Sequence, residues 1–365
     1  MNESKELDTL VVDSPLGRCS YAHLRSYADV RAAAIDWRRF SSAIVAGVPI
    51  PDERAVRTHA QLPLESDPPR HGVYRALLVE HFDRRRIARI DDAIRSHVGE
   101  IMRRAAQRGT LEVVGELTVP VFVRALTDLT GRPQDESRWR SWGKLVYTAD
   151  RANADFDDYL DQLVAARDRS SGDDLFARLG RAVTAAELRG LATLVLGAGR
   201  DTTSDAVAGA LFHLARHREH WDALVADRSV LETATDELIR IVTPLPAIAR
   251  VTTQHTRLGE HAIAAGTPVA LGFREANRDP SVFERPDECV LRRTPNRHLS
   301  FGAGPHLCLG VHLARAIVRR VLDVATSTVQ HPTVVASVRE RPLGTLDEST
   351  AGFIRLELAL VPVEG

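Results

Sequence analysis

A mainly α-helical fold with small β-sheets (α+β) is what this sequence predicts, on three observations. Helical periodicity dominates from about residue 71 to 330, β-type runs are short and gather toward the C-terminus, and no repeat or low-complexity linker divides the chain. At 365 residues and 44% apolar composition, the chain can bury a large core. The expectation is therefore one domain spanning 1–365. Taken in order, residues 51–70 carry four prolines in a polar stretch and read as loop. The periodicity then predicts helices over 84–108, 119–130, 136–148, 154–168, 185–216, 219–226, 230–241 and 311–327. Thr184 and Glu187 have the spacing of a capping box, which fixes the start of the 185–216 helix. Strands are expected at 268–271 and 354–360.

Charge and targeting signals narrow the function. A formal net charge of −1 gives no reason to expect a nucleic-acid partner. Arginine supplies all the basic residues except Lys5 and Lys144, an Arg- and Ala-rich bias that hints at a bacterial source. The start, MNESKELDTLVVD, lacks a basic and then apolar leader, and no run of 18 apolar residues occurs. A soluble, cytoplasmic protein without membrane attachment is expected. Three cysteines, Cys19, Cys289 and Cys308, are too few and too scattered for a disulfide framework. Burial as inert apolar side chains explains Cys19 and Cys289.

Cys308 has different neighbours. It sits in HLSFGAGPHLCLG, residues 298–310, just before the helical run VHLARAIVRRVL. A helix N-terminus or a metal pushes a thiol toward thiolate. Glycines at 302, 304 and 310 let the backbone turn and approach a flat ligand closely. Backbone N–H groups after the cysteine can hydrogen-bond the sulfur, and Phe301 can shield it from water. A thiolate held this way suits haem iron. The stretch is no phosphate loop, since it lacks GK[ST] and GxGxxG spacing. A zinc site from His298, His306, Cys308 and His312 is the competing reading, although their spacings match no paired CxxC or HxxxH arrangement.

FGAGPHLCLG resembles the haem-ligand signature of cytochrome P-450, with Phe301, Gly302, Gly304, His306, Cys308 and Gly310 on its fixed positions. Three further segments fall in the family's order. ELIR, residues 237–240, resembles its Glu-x-x-Arg, which implies that Glu237 and Arg240 lock to an upstream arginine, Arg293 or its neighbour Arg292. LGAGRDTTSD, residues 196–205, resembles its oxygen-activating motif in the long helix. Glycines there suggest a helix distorted where O₂ must fit. The resemblance implies that Ala198 and Gly199 border the cofactor, and that Asp201 and Thr202 pass protons from solvent as O₂ is activated. Arg200 is expected to pair with Asp205 or Asp201. Finally, His71 and Arg75 in DPPRHGVYRALLVEHF share a helix face. With Arg250 and His306 they are implied contacts of the haem propionates.

The resemblance covers about residues 20–361 and implies the P-450 fold, a triangular single-domain helical prism around a long central helix. Against the family pattern the N-terminus looks shortened, and the lid region 142–159 and the approach to the long helix look trimmed. Leu194, Ala198, Leu245, Ala247, Ile248 and Thr350 are the implied substrate-pocket residues, mostly small or apolar. The implied activity is a haem b monooxygenase that oxidises a hydrophobic small molecule in bacterial secondary metabolism. Electrons would come from NAD(P)H through ferredoxin reductase and ferredoxin, docked on a basic patch of residues 84–86, Arg315, Arg319 and Arg320. The same motifs serve oxidative coupling, cyclisation or desaturation of a natural-product or carrier-bound intermediate. A third reading is a non-catalytic P-450-like module that recruits a carrier protein or partner enzyme. A monomer is expected.

Overall fold

The computed structural model describes residues 7–14, 17–43, 59–144, 147–148, 151–152, 154–167, 172–340 and 352–363. From the N-terminus, β1 (Thr9–Ser14) and β2 (Gly17–Leu24) form a hairpin before α1 (Tyr27–Ile35) and β3 (Phe40–Ser41). Next come α2 (Arg70–Phe82), α3 (Arg84–Arg108), β4 (Thr110–Glu112), a π-helical turn and α4 (Val119–Thr130). Short α5 (Glu136–Ser141), the paired β5 (Tyr147–Thr148) and β6 (Arg151–Ala152), α6 (Ala154–Ala166) and α7 (Leu175–Ala182) lead to the 32-residue α8 (Ala185–Arg216). Beyond it lie α9 (Arg218–Ala226), α10 (Leu231–Val242), β7 (Ala247–Thr252), β8 (Thr256–Leu258), β9 (His261–Ile263), β10 (Pro268–Gly272) and α11 (Phe273–Ala276). Helix α12 (Val311–Thr328) and strands β11 (Thr333–Glu340) and β12 (Gly352–Ala359) complete the order.

The strands make a five-stranded sheet, β1-β2-β10-β7-β3, and a three-stranded sheet, β11-β12-β4, beside two small ribbons. Helix α8 threads the middle and packs on α4, α6, α10, α12 and β12. Leu188, Leu191, Leu196, Leu211 and Leu214 are buried along it, each worth roughly 1.5–3 kcal/mol against exposure. Helix α4 comes so close that a Cβ at Gly199 would stand 2.8 Å from the Phe122 ring. The capping box predicted for α8 is present in both directions: Thr184 accepts from the Glu187 N–H, and Glu187 accepts from the Thr184 N–H. Among the described residues, no helix is long and apolar enough to cross a membrane.

Three expectations change. The predicted 136–148 helix stops at Ser141, where the chain turns to bury Trp142 and Lys144. The predicted loop over 51–70 holds across its described residues 59–69 and ends where α2 opens at Arg70, while 51–58 lie outside the described residues. Helices α1 and α7, each capped by the side chain before it, Ser26 and Asp174, were not predicted. Helix α8 runs unbroken past the glycines, and the Thr202 hydroxyl donates to the Ala198 carbonyl at 3.1 Å, a back-bond of the kind that bends helices.

Candidate active site

The loop before α12 delivers Cys308 to a largely apolar cavity of about 370 Å³. The Cys308 N–H donates to the Phe301 carbonyl at 2.9 Å, which closes the loop. Gly304 takes φ 69° and packs against α1, where a Cβ would lie 2.8 Å from the Ile35 Cα, so only glycine fits. Gly310 caps α12, and its N–H hydrogen-bonds the Cys308 sulfur. Burial pushes the thiol up, while that N–H and the Arg75 and Arg315 charges oppose the shift. Cys308 is unpaired, and its remaining accessible surface opens onto the cavity it lines.

Helix α8 supplies a second wall, with Leu194, Ala198, Gly199, Asp201 and Thr202 all facing the space. One carboxylate oxygen of Asp201 is buried without a hydrogen-bond partner among the described residues. Burial and the neighbouring Asp205 push this carboxyl up to about 6, against the pull of Lys144 and Arg200. The folded protein thus holds the Asp201 proton more tightly than the unfolded chain, so this group's contribution to stability falls as pH rises from near 3.8 through about 6. Asp201→Asn is expected to gain roughly 1–3 kcal/mol at pH 8 and nothing near pH 4. Urea midpoints of both proteins across that range check it.

Four basic side chains meet at another part of the cavity. His71 and Arg75 come from α2, Arg250 from β7 and His306 from the cysteine loop. The two imidazole rings lie 4.3 Å apart, and His306 Nε2 is 3.2 Å from the Ser42 hydroxyl. Arg250 is 3% exposed, yet its hydrogen bond is to the Ala249 carbonyl, and burial pushes it down to about 10. Among the described residues neither Arg75 nor Arg250 has a carboxylate ion pair. A buried guanidinium without an acid is costly, so the cavity asks for an anionic occupant. An unpaired sulfur, two unmatched guanidiniums and an apolar volume fit an iron porphyrin, which brings a metal for the thiol and two carboxylates for the cations.

Arg200 departs from expectation. It pairs with neither Asp205 nor Asp201. Its guanidinium donates to the Trp139 and Gly143 carbonyls at 2.9 and 2.8 Å and lies 5.6 Å from the Trp142 ring. Lys144 takes the place expected of Arg200, with its ammonium 2.7 Å from Asp205 and 2.8 Å from the Phe353 carbonyl. Both side chains of this pair are under one-tenth exposed. Gly352 makes the approach of β12 possible, since a Cβ there would stand within about 2.4 Å of the Asp205 carboxylate. Asp205 also lines a second, outer cavity of about 230 Å³, so it stands between the two spaces. Sequence reasoning missed this pair. The signal available was compositional: Lys144 is one of two lysines in a chain that otherwise uses arginine.

The remaining assignments sort cleanly. Glu237 and Arg240 are fully buried, and Glu237 accepts from Arg240 at 2.8 Å, Arg293 at 3.0 Å, the Val290 N–H at 2.7 Å and Asn296 at 3.1 Å. Burial opposes ionisation of Glu237, but these donors hold it below the usual carboxylate range. Arg293 is the third member, because Arg292 turns to Asp227. Leu245, Ala247 and Ile248 line the main cavity, as do Phe301 and Gly302, while Thr350 lies outside the described residues. The expected basic docking patch is less charged than its sequence: Arg315 pairs with Asp236, and Arg319 and Arg320 pair with Asp91.

Residues 147–325 match the family described as Cytochrome P450. Cytochrome P450 monooxygenase PikC of Streptomyces venezuelae is 31% identical over 78% of this chain and 70% of its own. Pentalenic acid synthase of Streptomyces avermitilis is 32% identical over 85% and 82%, respectively. Among solved structures, a carbohydrate active P450 superposes with a TM-score of 0.88 at 31% identity, covering 99% of this chain and 96% of that one. With a lone thiol and unmatched cations meeting in one cavity, and with relatives of this closeness along most of its length, the chain belongs to the cytochrome P450 family of haem-iron monooxygenases.

Proposed function

We propose that this chain binds haem b through Cys308 and oxidises an apolar small molecule of bacterial secondary metabolism. The observation that carries the reading is the meeting, in one cavity, of the Cys308 thiol, the unmatched Arg75 and Arg250, and the buried unpartnered oxygen of Asp201. When bound, the haem supplies the reductive activation of O₂ that lets one oxygen atom enter a C–H or C=C bond. Cys308 would hold the iron through its sulfur, with the Gly310 N–H moderating the sulfur's electron donation. His71, Arg75, Arg250 and His306 would hold the two carboxylates and orient the cofactor. The residues of Glu237, Arg240 and Arg293 keep the cysteine loop's base in place and touch no reactant.

Asp201 is the proton carrier: a carboxyl near 6 is protonated often enough at neutral pH to give a proton and regain it. The Thr202 hydroxyl lies beside it on the cavity wall and passes that proton on. Lys144, paired with Asp205, pulls Asp201 down by its own charge while Asp205 pushes it up, and is a positioning residue. Apolar lining from Leu194, Ala198, Leu245, Ala247 and Ile248 favours a hydrophobic substrate and excludes water from the reacting centre. Electrons arrive from NAD(P)H through a reductase and a ferredoxin. Residues 84–86 are the better candidates for that contact, since Arg315, Arg319 and Arg320 are already paired.

Thr202→Ala tests the relay. It is expected to keep the shifted Soret band of the CO-bound ferrous protein, while product per NAD(P)H falls about tenfold or more and peroxide rises. An unchanged product yield would remove Thr202 from the proton path. Incorporation of ¹⁸O₂ into product separates oxygen insertion from coupling or desaturation.

A further inference from the structure

Away from the main cavity, the sequence HLARHREH crosses the junction of α8 and α9 and brings three histidines together. His213 lies in the last turn of α8, His217 is the junction residue, and His220 lies in the first turn of α9. The ring centroids of His213 and His217 are 4.3 Å apart, those of His213 and His220 5.1 Å, and those of His217 and His220 5.4 Å. His213 Nε2 and His220 Nδ1 are 3.0 Å apart. One ring nitrogen from each of the three lies within 4.8 Å of the others. We propose that His213, His217 and His220 form a binding site for a divalent transition-metal ion of the zinc class, separate from the haem pocket.

Two features beyond proximity support the assignment. First, the rings are held: His217 Nδ1 is 3.1 Å from Glu219, and the His220 ring hydrogen-bonds the backbone of Cys289. Such outer contacts orient imidazoles around metals. Second, an ion can enter, because His213 and His217 both line the second cavity of about 230 Å³.

The chemistry selects the ion. Imidazole donors suit zinc, copper, nickel and cobalt, and leave magnesium and calcium, which want oxygen, unbound. Zinc–nitrogen bonds of about 2.0–2.1 Å put tetrahedral ligand atoms about 3.3 Å apart. The 3.0 Å pair already sits near that spacing, so the adjustment falls on His217, the half-exposed junction ring. Three protein ligands leave one position open toward the cavity, where Arg216, Arg274 and Arg339 favour water-derived hydroxide or a small anion as the fourth ligand. Bound metal would clamp the end of α8 to the start of α9.

Calorimetric titration of Zn²⁺ into the haem-loaded protein tests the site. Wild type is expected to take up one Zn²⁺ per chain with high affinity, and Mg²⁺ to give no binding heat. His217→Ala and His220→Ala should each weaken that event about tenfold or more, and His213→Ala/His220→Ala should abolish it. His217→Ala serves where the more buried rings compromise folding, since its ring is the least enclosed and CO-difference spectra confirm an intact haem pocket. A zinc isotherm in His217→Ala and His220→Ala that superimposes on wild type would overturn the proposal, as would the absence of any one-to-one uptake by wild type.

Discussion

Cys308→Ala is expected to eliminate product formation, by at least about three orders of magnitude, and with it the shifted Soret band of the CO-bound ferrous protein. Thiolate ligation would tune the oxygen chemistry that bound haem supplies, and no other residue lining the cavity carries sulfur. Cys289, the other described free cysteine, is half-buried elsewhere, and its thiol is pushed up to about 12 by desolvation and by Glu237. The fold should survive the change. Cys308 contributes its backbone N–H, not its side chain, to the bond that closes the loop, and alanine retains that bond. Circular dichroism and a urea midpoint near wild type, beside a lost spectral signature, would separate loss of the ligand from loss of the fold. A variant that kept both the band and turnover would contradict the assignment of Cys308.

Glu237→Ala carries the second large effect, on stability. It would leave Arg240 and Arg293 in a region where the Glu237 and Arg240 side chains are 0% exposed. Removing one partner of a buried ion pair costs roughly 3–5 kcal/mol, because the surviving charge stays buried without compensation. The loss should exceed that norm's lower end, since two guanidiniums, the Val290 N–H and Asn296 all lose an acceptor together. Arg240 would keep its bonds to the Asn277, Pro286 and Glu288 carbonyls, which limits the collapse. Denaturant unfolding of the two proteins measures the difference, and faster haem loss from the variant should accompany it. Glu237→Gln should fall between them, because an amide still accepts but carries no charge.

The sequence was most readable where local chemistry decides the outcome. Helices α3 and α8 begin as predicted because Asp83 and Thr184 cap them with their own side chains, and α3 ends as predicted at the left-handed Gly109. The cysteine loop, the Glu237–Arg240 pair and the His71–Arg75 face were also legible, since each rests on fixed spacing within one segment. The misses are tertiary. Arg200 sits beside Asp201 in sequence, but it turns to the carbonyls of Trp139 and Gly143, which lie some sixty residues away. The 136–148 periodicity ran on in sequence while the chain broke after Ser141 to carry Lys144 to Asp205 and β12. Helix α7 was lost because its eight residues are too short for periodicity to register, though Asp174 marks its start.

The position of Asp205 on the border of both cavities has a consequence for traffic through the molecule. Pro244 shares that border, and the Asp205 carboxylate on it is clasped by an ammonium and by the amide of Phe353. If Asp201 carries protons as proposed, this charged border gives them an approach to the interior flank of α8 that avoids the greasy lining around Leu245 and Ile248.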